Sequence, residues 1–198
     1  MIIVTGSPRS GTSLVMQTLD ILGVPVVGEK FHEDFPIVSG NPKGYYDLPF
    51  ADQVDAANEG GFKNKYEGKA VKLFGESLAL ADMNVVTHMI ICRRRDAKRQ
   101  DRSSLKLLKQ ELEVANESEL RDVALQRLKH FTLEEIGNRR RLYYTAIEWY
   151  LSKFRGYVHE IYFEDMLYNT TDSIKALQDF LNVEDSKTLE QAIKNVGV

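Results

Sequence analysis

Gly6 and Gly11, with Arg9 between them and hydroxyls on Ser7, Ser10, Thr12 and Ser13, form the chemically densest stretch of the chain. Pro8 adds a turn-forming residue to the same loop. Backbone N–H groups of such a loop converge on an anion. A helix starting at the loop's end sets its positive dipole end behind them. The two glycines have the spacing of the phosphate-binding pattern G-x-x-x-x-G-K-[ST]. Thr12 stands at the lysine position, and Ser13 keeps the hydroxyl. In nucleotide hydrolases that lysine works on the β- and γ-phosphates. Its loss argues against ATP hydrolysis and leaves anion binding intact, with Arg9 as the cation inside the loop.

A second basic group lies far along the chain. Arg93 to Arg102 holds six basic residues against two acids. Most charge runs are solvated helix faces. Here the run follows an apolar stretch, Val85 to Cys92, that has the character of a central parallel strand. A cation at a strand's carboxyl end is costly unless it meets an anion, and arginine can grip a phosphate through two N–H groups at once. Ser103 lies eight residues beyond Arg95, roughly two turns if the segment is helical. Two anion sites suit a ligand with two separated phosphates better than they suit ATP.

The elements that must position these groups follow from the pattern of apolar residues. Ile2 to Val4 reads as a buried strand, and a helix runs from about Thr12 to Leu22, closed by Gly23. Pro25 to Val27 and Ala70 to Phe74 are short strand candidates, and Glu76 to Asp82 gives one or two helical turns. Leu48 to Asn58 looks helical, ending at Gly60 and Gly61. Asn41 to Asp47 is turn-rich and aromatic. A charged helical segment spans about 104 to 130, with leucines at helical spacing. Leu133 to Phe154 is a strong helix, and Trp149 and its neighbouring tyrosines read as packing. Tyr157 to Phe163 is the last strand, followed by helices at Ser173 to Leu181 and Leu189 to Val196. Strands alternating with helices imply an α/β fold: a parallel sheet covered by helices on both faces, in three layers, like that of P-loop nucleotide hydrolases. Ligands in such sheets sit at the carboxyl ends of the strands. That rule gathers the Gly6–Ser13 loop, the Arg93–Arg95 segment and the region after Phe74 around one crevice.

Composition bounds the rest. The 198 residues suffice for one domain with a substantial core. A net charge of −3 does not favour a dedicated nucleic-acid binder. Cys92 is the single cysteine, so an internal disulfide is excluded and a reducing, cytoplasmic setting is expected, as buried inert core for the thiol itself. A first strand at Ile2 leaves no room for a signal peptide in this reading. No apolar run reaches the roughly 18 residues of a membrane span.

Four stretches in order resemble the sulfotransferase family, whose donor is 3′-phosphoadenosine 5′-phosphosulfate (PAPS). Ser7-Pro-Arg-Ser-Gly-Thr-Ser13 resembles its 5′-phosphosulfate loop, with arginine for the frequent lysine. Arg95 to Ser103 has the arginine–serine spacing of its 3′-phosphate site. Ala70 to Gly75 is similar to the segment bearing a lysine and a histidine at the reaction centre of the cytosolic enzymes. Ile161-Tyr-Phe-Glu-Asp-Met166, with Phe180 and Leu181, resembles the tyrosine-Glu-Asp-Leu stretch and its sequel. The resemblance implies PAPS bound by Ser7 to Ser13, Arg95 and Ser103, with Phe163 stacking near the adenine where the family has tyrosine. It makes Lys72 the reaction-centre lysine. Phe74 falls where the cytosolic enzymes place their basic histidine, and phenylalanine takes no proton. Gly28-Glu29-Lys30 is similar in place to the Gly-Glu-Glu stretch of the enzymes that act on tyrosine in proteins, which makes Glu29 the first assignment for the base. The basic C-terminal segment of the cytosolic enzymes is absent.

Sulfuryl transfer, like phosphoryl transfer, rests on positioning and electrostatics. Arg9 and the Gly11–Ser13 amides are expected on the 5′-phosphate and bridging oxygen, and Lys72 on the departing oxygens or the sulfonate. Fixed cations take the part of a metal, so none is required. The base is Glu29, with Asp47, Glu33 and His32 as alternatives. Asp47 also reads as the N-cap of the helix from Leu48. The acceptor is a hydroxyl or amine of a small molecule, sugar or peptide, and oligomeric state is left open. The competing readings are a P-loop nucleotide or small-molecule kinase, or a nucleotide-binding domain without catalysis.

Overall fold

The computed structural model describes residues 1–28, 44–48, 65–114, 131–183 and 186–196. Five parallel strands form one sheet: β1 (Ile2–Gly6), β2 (Val26–Val27), β3 (Ala70–Lys72), β4 (His88–Arg93) and β5 (Tyr157–Tyr162), in the order β2-β3-β1-β4-β5. The connecting helices are α1 (Thr12–Ile21), α2 (Gly75–Leu78), α3 (Ala97–Val114), α4 (Leu133–Leu151), α5 (Phe163–Tyr168), α6 (Thr170–Leu181) and α7 (Ser186–Val196).

Side-chain alternation along the strands divides the core in two. Ile3, Val71, Met89 and Ile91 face α2 and α4, where they meet Leu78, Ile147, Tyr150 and Phe154. Val4, Ala70, Ile90 and Cys92 face the other way, onto Val15, Met16 and Leu19 of α1, Ile174 and Leu177 of α6, and Ala192 and Val196 of α7. This is the three-layer α/β architecture that the alternating elements imply. Local signals set the helix ends. Thr132 and Glu135 form a reciprocal capping box at the start of α4, and Gly23 follows the end of α1.

The differences from expectation are local. β3 stops at Lys72, and β4 begins at His88 rather than Val85. Trp149 is a correction: it is 52 % exposed and lies beneath the Lys153 ammonium, 3.8 Å from its ring centre, while Ile147 and Tyr150 fill the core. Cys92 is buried, as expected. Leu48–Asn58 lies outside the described residues beyond Leu48. Of the charged segment, 104–114 belongs to α3 and 115–130 lies outside the described residues.

The strand order fixes where a ligand would sit. From β1 the chain moves to β2 on one side, and from β4 it moves to β5 on the other. The carboxyl ends of β1 and β4 therefore flank the point where the order reverses, the place where open α/β sheets hold ligands. The loop after β1 is Ser7–Gly11, and the segment after β4 begins at Arg94.

Candidate active site

The two basic segments meet. Arg9 Nε donates to Ser103 Oγ at 3.0 Å, joining the β1–α1 loop to α3 across 94 positions of sequence. Gln100 Nε2 donates to Ser7 Oγ at 2.6 Å and to the Pro8 carbonyl at 3.0 Å, and Ser104 Oγ reaches the same carbonyl at 3.4 Å. Arg9 itself has φ 66°. That left-handed backbone in a non-glycine residue costs about 1–3 kcal/mol and concentrates at functional sites. Gly11 caps α1 at φ 103°, and a Cβ there would come within 2.9 Å of the Phe163 ring. Only glycine meets both demands.

Phe163 opens α5 and forms the other wall. Its ring packs against Gly11 on one side, and the Arg94 guanidinium lies 4.2 Å from its centre. Arg94 is half-buried, with Nε lacking a hydrogen-bond partner among the described residues. Burial pushes its pKa down; Glu164 and Asp96 oppose that, and the Arg9 and Arg99 charges reinforce it. Ser10 Oγ, buried in the loop, also lacks a partner among the described residues. A cluster of cations with an unanswered donor, beside a loop of backbone amides at a helix start, has the chemistry of an anion site.

The expected arginine is placed differently. Arg95 is exposed, donates to both oxygens of Asp165 at 2.9 and 2.6 Å, and lies 4.3 Å over the Tyr162 ring. Its backbone N–H is bonded to Glu164. Arg93 bridges Glu148 and Glu160. Among the three arginines, Arg94 is the one turned to the loop. Parity was the available signal: along an extended chain Arg94 shares a side with Cys92, which faces α1.

Lys72 ends β3 next to β1, and its side chain is 2 % exposed. Its ammonium contacts Asp47 Oδ1 at 2.5 Å, donates to Ser13 Oγ at 3.2 Å and to the Tyr45 carbonyl, and lies 5.5 Å from the Phe74 ring centre. Ser13 Oγ in turn donates to the Tyr45 carbonyl at 3.2 Å. Burial pushes the Lys72 pKa down, and the Asp47 carboxylate opposes that shift. Asp47 thus serves Lys72, a role its N-cap reading missed. Glu29, Glu33 and His32 lie outside the described residues.

The sulfotransferase domain from the curacin biosynthetic pathway matches this fold with a TM-score of 0.52 at 16% identity, over 97% of this chain and 77% of that one. The chain has a sulfotransferase fold. STF9, a sulfotransferase from Mycobacterium avium, aligns at a TM-score of 0.49 and 13% identity, over 98% of this chain and 66% of its own. The chain thus spans a little under two thirds of the length of STF9 and about three quarters of the curacin domain. No protein-family model and no curated protein matches the sequence. Within the sulfotransferase fold, the Gly6–Ser13 loop, Arg94, Ser103 and Phe163 stand at the carboxyl ends of β1, β4 and β5, with Lys72 at the end of β3.

Proposed function

We propose that this chain moves a sulfuryl group from PAPS to a hydroxyl or amine of an acceptor. The observation that carries the reading is the Arg9–Ser103 contact, which brings together two basic segments far apart in sequence. The Arg94 Nε and Ser10 Oγ, without a partner among the described residues, fit a bound anion. Arg9, Ser10 and the Gly11–Ser13 amides would hold the 5′ end of the donor, with Ser7 and Pro8 shaping the loop. Arg94 and Ser103 would hold the 3′-phosphate, and Arg95 braces α5 through Asp165. Phe163 offers an aromatic face between the two ends.

The donor supplies an activated sulfuryl group; the chain supplies fixed positive charge around it. Lys72 ends β3 with its ammonium buried beside the loop, where it shares a hydrogen bond with Ser13. Such preorganised charge acts where negative charge develops and needs no reorganisation as the reaction proceeds. Among the described residues no helix is long and apolar enough to cross a membrane. Together with the single buried thiol, this is consistent with the cytoplasm as the setting. The acceptor is a small molecule, sugar or peptide.

Calorimetry with adenosine 3′,5′-bisphosphate tests the donor half directly. Clear binding is expected, with Arg9→Ala weaker by more than about tenfold, or about 1.4 kcal/mol. Equal affinity for ADP would overturn the reading. Mg²⁺-dependent ATP turnover unaffected by the bisphosphate would replace it with a kinase.

A further inference from the structure

A sulfuryl transferase needs a group that takes the acceptor's proton, and the histidine position of the cytosolic enzymes is Phe74 here. We propose that Asp47 is that proton acceptor, held against Lys72 by a strap of chain laid across α1. The inference rests on the sulfuryl-transfer reading above.

The strap, residues 44–48, is fastened to α1 at three points. Gln17 Nε2 donates to the Gly44 carbonyl at 2.8 Å, Ser13 Oγ donates to the Tyr45 carbonyl at 3.2 Å, and Tyr46 Oη donates to Asp20 Oδ2 at 2.9 Å. Behind it, Gly28 at the end of β2 leaves room for the strap: a Cβ there would lie 2.6 Å from the Tyr46 carbonyl oxygen. Asp47 is therefore positioned by α1, β2 and β3 together. Catalytic geometry requires this kind of multiple restraint.

Exposure separates the two partners of the ion pair. The Lys72 side chain is 2 % exposed and the Asp47 side chain 35 %. A molecule entering from solvent meets the carboxylate; the ammonium stays inside, bonded to the anion loop through Ser13. Two other ionisable groups near the strap, among the described residues, are already committed. Asp20 on α1 holds Tyr46, and burial pushes the Cys92 thiol on β4 up, which keeps it protonated. Phe74 offers only a ring face to Lys72 and an edge contact to Tyr143.

The step balances without a further reactant. The acceptor's O–H or N–H bond breaks, its proton passes to an Asp47 oxygen, and its electron pair forms the new bond to sulfur. The bond from sulfur to the bridging phosphate oxygen breaks, and that pair stays on adenosine 3′,5′-bisphosphate. Protonation of Asp47 removes the negative charge facing Lys72. The ammonium is thereby released to the developing oxyanion at the moment it forms.

Phenol and p-nitrophenol serve as probe acceptors with sulfur-labelled PAPS, because p-nitrophenol is already ionised at mildly alkaline pH and has no proton to give up. Asp47→Asn is expected to slow transfer to phenol by about 100-fold or more, within the range for a lost general base. It should flatten the acidic limb of the pH profile and change transfer to p-nitrophenol by less than about threefold. Bisphosphate affinity should stay within about threefold, and Asp47→Glu should recover part of the phenol rate. Equal losses with both phenols would make Asp47 only a clamp for Lys72 and overturn the proposal, as would a parallel loss of bisphosphate affinity. A wild-type enzyme that binds the bisphosphate but transfers to neither phenol also overturns it. Absence of bisphosphate binding in the wild type would instead sink the donor reading beneath it.

Discussion

Arg94 lies half-buried on Phe163 with its Nε unanswered among the described residues, whereas Arg95, one position on, is exposed and bonded to both oxygens of Asp165. The two carry the same charge at the end of the same strand. What separates them is the neighbourhood. Asp165 already neutralises Arg95, so an anion arriving there must displace a carboxylate. Arg94 feels the Glu164 and Asp96 carboxylates, but burial and the Arg9 and Arg99 charges outweigh them and push its pKa down, a strain that a bound phosphate would relieve. A basic run therefore divides into cations hydrogen-bonded to carboxylates and cations that are not, and the division follows the partners rather than the count.

The sharpest way to break this comparison is to truncate each arginine in turn. Arg94→Ala should weaken adenosine 3′,5′-bisphosphate by more than about tenfold, at least about 1.4 kcal/mol by calorimetry. Arg95→Ala should change it by less than about threefold. Equal losses would erase the distinction. The next test takes the carboxylate-bonded class. Asp101, buried on α3, pairs with Arg140 of α4 at 2.8 Å. Asp101→Asn should lower unfolding stability by about 1–3 kcal/mol in a denaturant titration, between the values for exposed and buried pairs. It should leave bisphosphate affinity unchanged.

Lys72 gives the subtlest test, because it is paired with Asp47 and yet buried. Burial lowers its pKa from the ordinary 10.5. Between the lowered folded value and 10.5 the unfolded chain binds more protons than the folded one, so stability rises with pH across that window. Lys72→Met should lose this rise. The measurement is the difference in melting temperature between wild type and variant from neutral pH to about pH 10. The upper bound avoids Tyr46, whose pKa burial and Asp20 push up to about 12 and whose contribution runs the other way above 10. A parallel pair of curves would mean that Lys72 is not desolvated.

Much of this was legible beforehand where the signal is local. Ile2–Val4 reads as a strand from its β-branched run, which the structure extends to Gly6, and Gly6–Ser13 reads as the loop that leads into a helix. The helix expected from Leu133 starts there, behind a Thr132–Glu135 capping box that the structure adds. Trp149 was misread because spacing tells which residues share a helix face and not which face meets the sheet. The strand ends at Lys72 and His88 moved by a few residues, since pairing with neighbours, not propensity, ends a strand.

The choice among Arg93, Arg94 and Arg95 was beyond spacing alone. So was the pairing of Asp47 with Lys72, which lies 25 positions further on. By itself the sequence determined a strand, a glycine- and hydroxyl-rich turn and a helix in succession, because backbone conformation depends on residues close in the chain. Only the tertiary structure decided which of the described cations hydrogen-bond to carboxylates. Charge and burial depend on groups distant in sequence, and the order of strands in the sheet brings those groups together.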